Sequence, residues 1–438
     1  MELTAPRVTR LLVVSALTAL SQLAIPSAHA VSPPKIDDRW LPKPALPAPP
    51  RPTVQREVCT TMAADPGPGG NQRANLDLPR VWQLTRGAGQ RVAVIDTGVS
   101  RHRRLPDVVP GGDYVSTGDG TQDCDAHGTL VAGIIAAAPD PQADNFSGVA
   151  PDVTVISFRQ SSAKFTSAND RSRAGVGDVD TMARAVRTAA DLGASVINIS
   201  SVACVPAASP LDDRALGAAL EYAVDVKNAV IVAAAGNTDG IAQCPRQSQD
   251  ATWDTVTVAV SPAWYDDYVL TVGSVNADGA PSAFTLAGPW VDVAATGESV
   301  NSLGSASLSG TSYAAPVVSG LAALIRARFP TMTARQVMQR IESTAHHPPA
   351  GWNPVVGNGT IDALAAVSTD SIPPISTSKP GPAPVPIPPP VAPAPVDRQG
   401  RKTALGGAAI CLVALVAALV AGAASGRLRG SRHSVPSD

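Results

Sequence analysis

The stretch S-L-S-G-T-S-Y-A-A-P, residues 307–316, opens onto a run of small and apolar residues, 314–329, that reads as a helix. A serine at a helix start ordinarily caps it, its hydroxyl accepting from an unpaired N–H. Here Gly310 stands just ahead of Ser312 and allows close backbone approach. That setting suits a nucleophile. A serine hydroxyl attacks only when a neighbouring base takes its proton, so the chain upstream has to supply an imidazole and a group that orients it. Two stretches do: V-A-V-I-D-T-G at 92–98 offers Asp96, and H-G-T-L-V-A-G at 127–133 offers His127. Alone, Asp-Thr-Gly reads as a turn and a histidine before Gly-Thr as a helix cap. The three in order carry more than any one.

The surrounding pattern places them. Apolar runs at 91–95, 153–158, 195–199, 229–234 and 269–275 read as strands. Residues 127–138, 178–192, 211–225, 312–329 and 333–344 read as helices, and 160–177 as a polar loop. Continuous apolar strands alternating with helices predict an α/β fold, a parallel sheet covered on both faces. In such sheets the chemistry gathers at the carboxyl ends of the strands. Asp96 and Asn237, the latter closing A-A-A-G-N at 233–237, fall at or just past such ends.

Asp, His and Ser in that chain order, each in its motif, resemble the subtilisin family of serine proteases. The resemblance spans roughly residues 75–366. It implies a subtilisin-like fold with Ser312 as nucleophile, His127 as base and then acid, and Asp96 as the group that fixes the imidazole. It implies that Asn237, with the backbone N–H of Ser312, holds the oxyanion. It also implies that an extended peptide lies along an edge near I-N-I-S-S-V-A-C, residues 197–204. Ser200 and Ser201 are the substrate-binding candidates there. Ser201 and Val202 stand where relatives carry a Leu-Gly pair, which suggests a more selective cleft. No cofactor is implied. Asp107, Asp113, Asp119, Asp123 and Asp125 form an acidic loop; the resemblance allows calcium there, but without defined ligand spacing it reads first as a solvated loop and no metal is assigned.

The ends of the 438-residue chain read differently. Residues 1–30 have a basic start, an apolar core and the small-residue site Ala28-His29-Ala30, the form of an export signal. Residues 31–74 are a Pro-rich N-terminal extension, too short for the folded inhibitory propeptide usual in secreted relatives, and expected to lie along the surface of the peptidase domain, 75–367. Residues 368–403 are a Pro-rich linker. Residues 404–424 are an uncharged apolar run long enough to span a bilayer, and Arg427, Arg429 and Arg432 follow it in the tail, 425–438. Basic residues beside a span stay cytoplasmic, so the peptidase domain is expected outside the cytoplasm of a single-pass membrane protein. A net charge of −2 without a basic stripe gives no footing for a nucleic-acid partner.

Of five cysteines, Cys411 lies in the apolar run, and Cys59, Cys124, Cys204 and Cys244 lie in the exported part, where two disulfides are expected. Cys204 and Cys244 follow consecutive strands of a βαβ unit, whose carboxyl-end loops should be neighbours. That leaves Cys59 for Cys124. The whole layout resembles the mycosins, membrane-anchored proteases attached to type VII secretion systems. This implies protein or peptide substrates, limited cleavage and a role in stabilising a secretion complex. The rival readings are a general surface protease and a chiefly structural secretion component.

Overall fold

Every side chain of R-V-A-V-I-D from Val92 onward is buried in strand β2 (Arg91–Asp96). A computed structural model describes residues 31–62 and 76–368, apart from 106, 143, 145, 170–174, 210 and 240–243. The expected export signal, span and tail, and all of the linker but Ser368, lie outside the described residues, and among the described residues no helix is long and apolar enough to cross a membrane.

In chain order the strands are β1 (Thr53–Gln55), β2, β3 (Val108–Asp113), β4 (Thr154–Arg159), β5 (Phe165–Ser167), β6 (Val196–Ile199), β7 (Ala203–Pro206), β8 (Val230–Ala234), β9 (Val258–Ser261), β10 (Leu270–Val275), β11 (Val291–Thr296), β12 (Val300–Ser302) and β13 (Ser305–Leu308). The helices are α1 (Leu78–Leu84), α2 (His127–Ala136), α3 (Val179–Asp191), α4 (Arg214–Glu221), α5 (Thr311–Arg328), α6 (Ala334–Thr344) and α7 (Ala363–Ser368). Seven strands make one parallel sheet in the order β11-β10-β8-β6-β2-β4-β3. From β2 the chain crosses to the edge strand β3, returns beside β2 as β4, and then passes to the other side of β2 and runs outward through β6, β8, β10 and β11. Asp96, the last residue of β2, therefore sits where the strand order turns, the place at which open α/β sheets bind ligands.

Two helices carry the remaining motifs to that point. Helix α2 buries everything after His127, and α5 buries Thr311–Ile325 except the half-buried Tyr313. Neither has a polar face, because α5 is wedged between α2 and strands β6, β8, β10 and β11. Gly128 makes the approach possible: a Cβ there would lie 2.1 Å from the Gly98 carbonyl oxygen and 3.1 Å from the Asp96 Cβ. Helices α3 and α6 start on capping boxes, Asp178 with Thr181 and Thr333 with Gln336.

The sequence reading missed two sheet strands. β3 is V-V-P-G-G-D; its Pro110 is tolerated because the strand pairs only with β4, at the edge of the sheet. β11 is V-D-V-A-A-T, the other edge. The expected loop 160–177 contains β5, which pairs antiparallel with β1 of the N-terminal extension. The helix expected over 211–225 is shorter at both ends, α4 running into a π-helical turn at Tyr222–Val226. The extension follows the body closely. Val31 N–H donates to the Trp253 carbonyl, Arg187 to the Pro42 carbonyl, and Pro47 fills the space that a Cβ on Gly112 would need.

Candidate active site

The carboxylate of Asp96 is fully buried at the end of β2. Its Oδ1 accepts from the Thr97 N–H at 2.7 Å and lies 2.7 Å from His127 Nδ1. The other ring nitrogen, Nε2, lies 3.1 Å from Ser312 Oγ. Residues 31 and 185 positions apart in the chain thus share one imidazole. Burial pulls the His127 pKa down, but the Asp96 charge and hydrogen bond, and then the charges of Asp123 and Asp125, outweigh it and the net direction is up. The buried carboxylate favours the tautomer with hydrogen on Nδ1, which leaves Nε2 to accept from the serine.

Asn237 lies just beyond β8. Its Oδ1 accepts from Thr311 twice, from the N–H at 2.9 Å and from Oγ1 at 3.0 Å, and Thr311 Oγ1 accepts from the Gly236 N–H at 3.1 Å. With the oxygen held this way, Nδ2 points away from Thr311. A Cβ added to Gly310 would meet Ser312 Oγ at 3.1 Å, Asn237 Nδ2 at 3.5 Å and the Tyr313 ring at 3.6 Å. The Ser312 hydroxyl and an amide donor therefore face one small space, kept open by a glycine. The Ser312 N–H belongs to the first turn of α5, where backbone donors have no intrahelical partner. The Tyr313 ring packs against His127 with centroids 5.2 Å apart. Burial, and then the Asp96 and Asp123 charges, push its phenol up to about 12, so it is neutral at any working pH.

The substrate-edge candidates lie between β6 and β7. Ser200 is 7% exposed and its Oγ accepts from Asn198 Nδ2, whose own Oδ1 accepts from Ser319 of α5. Its hydroxyl is committed to the interior. Three acids of the acidic loop are engaged by neighbouring donors. Asp113 accepts from the Val115 and Ser116 N–H groups, Asp119 from Thr121, and Asp125 from Ser162 and Ala163. Among the described residues no group of His, Cys, Asp and Glu is arranged to hold a metal ion.

Two disulfides frame the site. Cys204–Cys244 joins the segments that follow the adjacent strands β6 and β8. Cys59–Cys124 ties the extension to the turn before His127, and the Thr60 N–H donates to the Cys124 carbonyl beside it. Sequence reasoning did not assign Thr311, Tyr313 or the Asn198–Ser319 pair to the site. The Gly-Thr-Ser-Tyr order was the available signal, but a threonine in a first helical turn says nothing about which side chain it will hold.

An imidazole bridging a buried carboxylate and a serine hydroxyl, with amide donors beside the hydroxyl, is the apparatus of a serine endopeptidase. The subtilase family model matches residues 87–359. Mycosin-4 of Mycobacterium tuberculosis is 72% identical across 100% of both chains. Mycosin-1 of the same organism is 44% identical over 83% of this chain and 87% of its own. Among solved structures, the MycP3 protease from the type VII (ESX-3) secretion system is 44% identical over 78% of this chain and 100% of that one, with a TM-score of 0.72. A chain of the periplasmic assembly from the ESX-5 inner membrane complex is 41% identical over 83% of this chain and 100% of that one, with a TM-score of 0.72. The chain belongs to the mycosins, within the subtilase family of serine proteases.

Proposed function

We propose that this endopeptidase works at the outer face of a cell membrane, in a type VII secretion complex that it helps to stabilise, and that it makes limited cuts in exported protein substrates. The observation that carries the reading is the His127 ring held at 2.7 Å from Asp96 and 3.1 Å from Ser312. Relatives described as parts of ESX systems support the setting. The apolar run 404–424 with its basic tail, and the signal-like residues 1–30, support a single-pass anchor with the catalytic body outside.

In this reading the substrate lies extended beside the backbone of Ser200 and Ser201, its scissile carbonyl in the space facing Gly310. Ser312 Oγ attacks the carbonyl carbon while His127 Nε2 takes the hydroxyl proton. Asp96 stabilises the imidazolium that results. The oxyanion that forms accepts from Asn237 Nδ2 and the Ser312 N–H, donors already fixed by Thr311 and by the helix start. Collapse expels the amine, which collects the proton from His127 and leaves an acyl-enzyme. Water, deprotonated by the same imidazole, then releases the acid and restores the serine.

Secretion by cells carrying Ser312→Ala, compared with cells lacking the gene, tests the setting. Loss of secretion on deletion, together with copurification of the chain with secretion-channel subunits, is the expected result. Normal secretion in both strains, with no copurifying subunits, refutes the secretion role and leaves a general surface protease. Secretion that survives Ser312→Ala but not deletion makes scaffolding the dominant role.

A further inference from the structure

We propose that Asp123 is a positioning residue for the catalytic imidazole, its carboxylate tying the turn that follows Asp96 to the turn that presents His127. The proposal rests on the serine-protease reading of the site.

Five hydrogen bonds end on that carboxylate. Oδ1 accepts from Thr97 Oγ1 at 2.8 Å and from the N–H groups of Asp125 at 3.1 Å and Ala126 at 2.8 Å; Oδ2 accepts from the Thr129 N–H at 2.8 Å and Thr129 Oγ1 at 2.6 Å. Every donor lies within two residues of Asp96 or His127 in the chain. Thr97 Oγ1 extends the tie, accepting from the Gly128 N–H at 2.9 Å. The residues before and after the histidine are thereby fastened, directly or through one hydroxyl, to a group that also holds the residue after the catalytic aspartate.

The turn needs holding. Ala126 has φ +68°, a left-handed conformation that a residue with a Cβ seldom adopts. The N–H of that alanine donates to Asp123. The carboxylate is anchored in turn: the Asp123 N–H donates to Ser100 Oγ at 3.2 Å, and the next residue, Cys124, is bonded to Cys59 of the extension.

Other acids of the loop do not share this role. Asp119 accepts from Thr121 and Gln122 in its own turn, and Asp125 reaches Ser162 and Ala163 of the segment after β4 rather than the turn that follows Asp96. Asp123 also contributes charge. Asp96, Asp123 and Asp125 all favour a protonated His127, and Tyr313, the ring packed on it, stays neutral. Arg101 and Arg159 line an open cavity that Asp123 also borders.

The test uses the full chain with Asp123→Asn, and Asp119→Asn as a control in the same loop. Turnover of a peptide substrate is measured per active site titrated with a fluorophosphonate. Asparagine turns an NH₂ toward donors that need an acceptor, so the loop has to shift. A shift of about 1 Å at a reacting group costs on the order of 10²-fold in rate. The expected result is a fall of that size in kcat per titrated site, KM within about threefold, and a fall in the pH midpoint of the acid limb of kcat/KM, since one negative charge beside the imidazole is gone. Asp119→Asn is expected to match the wild type.

Thr97→Val and Thr129→Val each remove one donor to Asp123, together with the acceptor of the Gly128 or the Ser100 N–H, and leave Asp123 in place. Each is expected to lose roughly tenfold in kcat, with Thr97→Ser and Thr129→Ser near the wild type, and these four decide the matter if Asp123→Asn does not fold. Wild-type kcat per titrated site in Asp123→Asn, an activity loss matched by the fraction unfolded with an unmoved pH limb, or wild-type kcat in both valine variants each overturns the proposal. Failure of the wild type itself to be acylated at Ser312 refutes the protease reading, and this inference with it.

Discussion

Asn237→Ala and Asn237→Asp are expected to rank one way in stability and the opposite way in rate. Alanine removes the oxygen that accepts from both the N–H and the Oγ1 of Thr311, a fully buried residue. A buried donor left without an acceptor costs about 1–3 kcal/mol, and the Thr311 hydroxyl can turn elsewhere, so a loss of about 2 kcal/mol is expected. That lowers the melting temperature by about 3 °C in a body of this size. Aspartate keeps an oxygen in the same place and is expected to melt within about 2 °C of the wild type.

The rates run the other way. Alanine removes the proposed oxyanion donor, a loss of roughly 10²–10³ in kcat when such a donor is removed from a subtilisin. Aspartate replaces the donor with a second oxygen that shares a negative charge. At about 4 Å from the forming oxyanion, and at an effective dielectric of about 20, the repulsion is roughly 4 kcal/mol. Part of it is screened in this half-open site, so a further loss of about 10- to 1000-fold below alanine is expected. The assay is single-substrate hydrolysis at saturation, normalised to folded protein, beside a thermal melt. An aspartate variant that is folded and turns over as fast as alanine, or faster, would refute the assignment of Nδ2 to the oxyanion.

Other expectations follow from the same geometry. His127 works as a base only when neutral, and its neighbours raise its pKa above the ordinary 6.5, so kcat/KM should climb with pH through a midpoint above that value. In Asp125→Asn that midpoint should fall, and a midpoint unchanged or raised in the pH–rate profile would count against the electrostatic argument. Cys59→Ser opens a loop of 65 residues, which chain-entropy reasoning values at about 4 kcal/mol, so a marked fall in unfolding midpoint under non-reducing conditions is expected. Asp144→Ala leaves Arg104, 2% exposed in its side chain, without its carboxylate, and should cost about 3–5 kcal/mol in denaturant titration without changing turnover of the folded fraction.

Much of the site was legible because its parts are short and local. Strand β2 announces itself by V-A-V-I, and Asp96, His127 and Ser312 each sit in a stretch whose backbone role is readable. The missed features depend on partners far away in the chain. β3 carries Pro110 and two glycines, which read as a loop until β4 is seen to pair with it on one side only. β5 is a strand only because the extension lies against it, 112 residues away at Val54–Thr166. Thr311 looks like any residue in a first helical turn, and its hold on Asn237 appears only when β8 and α5 are brought together. The Ser200 hydroxyl is read most naturally as facing a substrate, yet Asn198 and Ser319 show the demand for a satisfied buried amide winning instead.

Catalysis by this site requires that His127 activate Ser312. Intact-mass measurement of the full chain after exposure to a fluorophosphonate, followed by peptide mapping, reads this directly. One adduct per chain on Ser312 is expected, forming faster as pH rises through the His127 titration and slowed by roughly 10³-fold or more in His127→Ala. An adduct on another residue, or one that forms on Ser312 equally fast without the imidazole, would contradict it.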